Sequence, residues 1–140
     1  MRFLIFVAIT LGALFLPGAL LAHGTSEPGP HGGEIRMPGA FHVEALAVDG
    51  RLRVYLLNMQ FESPRIANST VKARIRQGGT TADLQCTEAA DAKAFRCSVP
   101  SGANLDQGTL IIDASRAGLP ADPAKYELPL QWSGKKSEDD

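Results

Sequence analysis

The sequence has no large excess of anything. Lys and Arg number 14 against 15 Asp and Glu, a formal net charge of −1. That balance implies no attraction to nucleic acid or to an anionic membrane. Aromatic residues make up 6% of the chain, too few for a flat face on which a polysaccharide could lie. No Ser-His-Asp set or paired-carboxylate site can be picked out, which argues against the usual hydrolytic chemistries. No segment keeps a helical period. After residue 22 no apolar run is long enough to span a bilayer. Histidine is scarce too: there are three, His23, His31 and His42, all within one stretch, LLAHGTSEPGPHGGEIRMPGAFHVE.

What precedes that stretch is a targeting segment. In MRFLIFVAITLGALFLPGALLA, Arg2 is a positive start and Phe3 to Leu16 an uncharged apolar core. Pro17-Gly18 breaks the helix, and Ala22 offers a small-residue cleavage site. This order is that of a secretory signal peptide over residues 1–22, with a retained membrane anchor as the alternative. Cleavage makes His23 the first residue and gives a soluble chain, periplasmic or secreted, of a length suited to one domain. Cys86 and Cys97 then meet an oxidising compartment and are expected to form one disulfide, worth roughly 2–3 kcal/mol. A metal-binding cysteine pair is the rival reading, disfavoured by a spacing of eleven positions.

The chain divides into a histidine-bearing arm (23–40), a β domain (41–133) and a polar tail (134–140) expected to be disordered. FHVEALAV, Asp49-Gly50 and RLRVYLLNMQF read as a hairpin across a D-G turn. Further strands are expected at 70–77, 81–89, 94–100, 108–115 and 125–132, with Gly78-Gly79 and the AADAK segment as turns. SRAGLPADPAK is expected to be a loop, and Asn68-Ser69-Thr70 a turn. Seven short strands separated by turn residues predict an all-β fold, a single antiparallel Ig-like sandwich. Phe41, Val43, Ala45, Ala47, Leu52, Val54, Leu56, Leu110, Ile112, Leu128, Leu130 and Trp132 form the expected core.

His42 and Glu44 are two apart on a strand, so their side chains leave the same face, opposite the core. A two-residue turn places His42 opposite Leu57. If the second strand continues through Met59, that thioether falls diagonally beside His42. His31 precedes Gly32-Gly33, which allow close approach. A terminal His23 would offer an amine and an imidazole together. Imidazole with amine suits Cu(II), and imidazole with thioether suits Cu(I). The candidate metal site is therefore His23, His31, His42 and Met59, with Glu44 a ligand or a support for one, and Met37 a further thioether. The simpler reading is that these are solvated surface groups and a core methionine.

PHGG, a short spacer ending in glycine, aromatic-His-x-Glu, a D-G turn and LRVYL together resemble small exported metal-binding proteins of bacterial heavy-metal resistance systems. They also resemble the related metal-binding modules of efflux-pump adaptors. The likeness covers about residues 30 to 64. It implies metal-binding roles for His31, His42 and Glu44. In that family the second strand commonly ends in Asp-His before a turn and Pro. Here the stretch is NMQFESP, so Met59 stands where a His is expected, a change that suits Cu(I) over zinc. The resulting expectation is a non-enzymatic periplasmic protein that buffers copper, or delivers it to an efflux adaptor or another trafficking protein. Zinc or another divalent ion is the alternative cargo. A metal-free interaction sandwich is a second reading. An amino-terminal-His copper oxygenase is a third, disfavoured by the short chain and few aromatics.

Overall fold

A computed structural model describes residues 27–62 and 66–132. The D-G hairpin organises the first sheet. Asp49 and Gly50 both have positive φ, 50° and 72°, the geometry that matches the twist of the strands it joins. It connects β2 (His42–Val48) to β3 (Arg51–Leu57) in the expected register, with His42 opposite Leu57 and Glu44 opposite Tyr55. On the far side of β2 lies β1 (Glu34–Arg36), and beyond β3 lie β7 (Phe95–Ser98) and β6 (Gln85–Glu88). The second sheet runs β10 (Ala124–Leu128), β8 (Gly108–Arg116), β4 (Thr70–Gln77) and β5 (Thr80–Asp83). A two-residue strand, β9 (Leu119–Pro120), turns back on the end of β8. All pairings are antiparallel, so the fold is the expected β-sandwich.

The alternation places the core where it was read, except that Trp132 lies beyond β10, half-buried and outside the core. Phe41, Val43 and Ala45 meet Leu52, Val54 and Leu56 between the layers, packed against Ala73, Ile75, Leu110, Ile112 and Tyr126 of the second sheet. The Tyr126 hydroxyl donates to the Val43 carbonyl at 2.7 Å, bonding one layer to the other. Burial pushes that phenol well above its ordinary value, with smaller influences from Arg36, Glu34 and Glu44.

Several elements differ from the sequence reading. SRAGLPADPAK, expected to be a loop, holds the end of β8, β9 and the start of β10, and the last strand stops at Leu128 instead of running to 132. The stretch 81–89 is not one strand. It leaves β5 at Asp83 and enters β6 at Gln85, crossing from the second sheet to the first, with Leu84 donating its amide to Ala73. Cys86 then lies opposite Cys97 and is bonded to it. The arm also contributes structure, because Glu34–Arg36 is the edge strand β1. With β1 added, the first sheet is apolar on its outer face as well as its inner one. Ile35, Leu46, Tyr55, Leu57, Ala89 and Ala94 form a second apolar cluster there.

Candidate functional site

Glu44 was expected on an open face. Instead it is fully buried, under a loop made by residues 29–33. The loop closes on itself, Gly29 donating to the Gly33 carbonyl and Gly32 to that of Gly29. Its free amides then turn onto the carboxylate. The His31 and Gly33 N–H groups both donate to Glu44 Oε1 at 2.9 Å. His31 Nδ1 lies 2.7 Å from Oε2. A buried carboxylate is tolerable only with such donors. Glycine is required at both ends of the loop. A Cβ on Gly29 would lie 2.6 Å from the Glu44 carboxyl, and one on Gly33 would lie 2.6 Å from the Ala45 carbonyl oxygen. With both oxygens taken up by the arm, Glu44 holds a histidine in place and is not placed to be a ligand itself.

The His31 ring is fixed on a second side. It stacks on Tyr55 with centroids 3.7 Å apart and planes 1° from parallel. Tyr55 sits opposite Glu44 on the neighbouring strand, so the strand pair presents an acceptor and a platform side by side. Arg53 donates to the Tyr55 hydroxyl at 3.4 Å. That bond is the main reason the Arg53 guanidinium lies above its ordinary value.

His42 is one same-face step along β2 from Glu44, roughly 7 Å away. Its Nδ1 lies 3.0 Å from the Asn58 carbonyl, which can only accept, so the proton sits on Nδ1. Phe61 stacks on the ring at 4.0 Å. This corrects the expectation for Met59. β3 ends at Leu57, and Asn58 builds a turn by accepting the Gln60 and Glu62 amides on its side-chain oxygen. The turn carries Phe61, at φ 61°, back over His42 and leaves Met59 half exposed. Phe61 was missed from sequence, although an aromatic inside the polar stretch NMQFES was a visible signal. Met37 is also exposed, after the end of β1.

Thus His31 and His42 are brought onto one outer face of the first sheet, each held through Nδ1. Trp132 Nε1 is the single buried side-chain nitrogen or oxygen without a partner among the described residues. Neither histidine Nε2 is in that state, so each touches solvent, His31 more than His42, which is only 6% exposed. A groove of about 260 Å³ lies alongside, lined by Glu27, Pro28, Gly29, Pro30, Ile35 and Phe61. Among the described residues no three His, Cys, Asp or Glu side chains gather as a metal-holding group. An ion on this face would need a donor beyond the two imidazoles. His23, the expected amine and imidazole donor, lies outside the described residues, as do residues 1–22. Comparison with protein-family models, curated proteins and solved structures returns no match.

Proposed function

We propose that this is an exported copper-binding protein that takes the ion through the Nε2 atoms of His31 and His42. The observation that carries the reading is the wiring of both rings. Each has its Nδ1 on an acceptor, a carboxylate for His31 and a backbone carbonyl for His42, so each keeps its Nε2 lone pair free for an ion. Metal-bound histidines are oriented in this way, with the far nitrogen donating to a carboxylate or carbonyl. Stacking on Tyr55 and Phe61 fixes the ring planes, which lowers the entropy lost when an ion is captured. A thioether donor from either exposed methionine, Met37 or Met59, would bias the set toward Cu(I). His23 would bias it toward Cu(II). The protein would buffer the ion or hand it to a periplasmic partner, and it needs no catalytic group to do so.

The test is metal titration of the exported protein with Cu(I), Cu(II) and Zn(II). One equivalent of copper is expected to bind and to raise the melting temperature. At a free concentration one hundred times Kd the gain is about 2.7 kcal/mol. His31→Ala with His42→Ala should abolish binding. Absence of any copper-induced rise in melting temperature would refute the proposal.

A further inference from the structure

The outer face of the first sheet carries a second concentration of charge, further along β3. Arg51 and Arg53 are two apart on that strand and leave the same face. Arg53 is directly opposite Arg96 of β7. Like charges placed opposite each other across strands destabilise a sheet, so this arrangement works against the fold unless something offsets it. The neighbours on this face do not offset it. Arg53 is flanked by Leu46 on β2, Arg51 by Val48, and Arg96 by Thr87 on β6, none of them acidic.

The ion pairs among the described residues are Glu34–Arg36, Arg74–Asp113 and His31–Glu44, so none involves this trio. Two aspartates stand nearby. Asp49 lines the edge of the same hollow. Asp91 accepts the Lys93 amide within its own turn and reaches Arg53 only as a longer-range attraction. The hollow itself, about 410 Å³, is lined by Val48, Asp49, Arg51, Arg53 and Arg96. Arg53 is held from behind by the Tyr55 hydroxyl.

We propose that the Arg51–Arg53–Arg96 hollow is a binding site for an oxyanion. The chemistry is that of carboxylate or phosphate oxygens, whose planar or tetrahedral edges match guanidinium forks. The anion is either a free small molecule or acidic side chains of a partner segment. The bound charge relieves the Arg53–Arg96 repulsion. This site lies further along the same outer face as the histidines, with Tyr55 between them, and does not depend on the copper reading.

Inorganic phosphate and a tetraglutamate peptide, titrated at low salt into the folded protein, test it by amide shifts at residues 51–53 and 95–97. Saturable shifts there are expected with at least one probe, weakening as salt is raised. Arg53→Gln with Arg96→Gln should weaken binding about ten-fold or more. Its melting temperature should change little, because the like-charge pair removed offsets the Arg53–Tyr55 hydrogen bond lost. Peptide binding well above phosphate binding assigns the site to a partner's acidic segment, and comparable binding assigns it to a free anion. Failure of both probes to saturate by roughly 10 mM overturns the proposal. So does unchanged binding in the double variant.

Discussion

Glu44→Gln separates the arm's structural role from its role in orienting a ligand. The substitution keeps size and shape inside a fully buried site. The new carbonyl oxygen can still accept from the His31 and Gly33 amides, now without charge assistance. A hydrogen bond to a charged group is worth about 1.5–3 kcal/mol and a neutral one about 0.5–1.5, so two downgraded bonds lose about 1–3 kcal/mol. Removing a buried charge recovers part of that desolvation cost. The net loss should be about 1–2 kcal/mol, a fall of roughly 4–8 °C per kcal/mol for a domain near this size. The other half of the amide is the informative one. Its NH2 faces His31 Nδ1 and donates to it, which moves the imidazole proton to Nε2 and removes the outward lone pair. Copper affinity should then drop 10- to 100-fold, as is usual when the support of a ligating histidine is lost. Competition with a chromophoric chelator measures the affinity and urea unfolding the stability. An affinity within two-fold of the original, with the expected modest destabilisation, would refute the claim that Glu44 sets the His31 tautomer.

The remaining expectations concern the same scaffold. Gly33→Ala should cost about 1–3 kcal/mol and weaken copper binding, because its Cβ meets the Ala45 backbone. Gly32→Ala meets nothing and should lose only about 1 kcal/mol, from its φ of 83°; thermal melts of the pair distinguish crowding from backbone strain. Tyr126 keeps its proton when folded at pH values where the unfolded phenol, with an ordinary value near 10.0, loses it. Stability from this source is therefore complete below that value and falls as pH rises above it. Tyr126→Phe should cost about 1–3 kcal/mol at neutral pH, by stranding the Val43 carbonyl, and should flatten the alkaline fall in urea unfolding. Replacing both Cys86 and Cys97 with Ser should remove about 2–3 kcal/mol, read from the same unfolding curves.

The D-G turn and the alternation on either side of it made the central hairpin legible to the residue. The register of His42 with Leu57 follows from turn length alone, since a one-residue slip would turn every core side chain outward. Strand 70–77 was equally legible, bounded by a left-handed Asn68 on one side and Gly78-Gly79 on the other. The cross-over at Leu84 was not, because it carries no Gly or Pro. Alternation continues through it while the strand changes partner. The burial of Glu44 was also hidden, since it depends on a loop from elsewhere in the chain. A trace was present all the same: Tyr55 and Leu57 are large apolar residues on a face that would otherwise meet water, and such a face asks for a cover. Met59 was misplaced because a continuing strand was assumed where Asn58 could cap a turn with its own side chain.

The two long rims of the sandwich are closed by different means. At one rim the backbone itself passes between layers at Leu84, and a sulfur bridge fastens the outermost strand two residues later. At the other, β1 is tied to the opposite layer by single polar contacts: Arg36 to the Lys125 carbonyl, Glu34 to the Gln131 amide, and Asp122 to the Pro38 carbonyl. The molecule is thus stitched like a book, with its spine at Leu84 and its loose page-edge on the side where the histidine-bearing segment enters. Loss of one polar contact at that edge would therefore bear on the histidine-bearing segment, while the bridge holds the far rim.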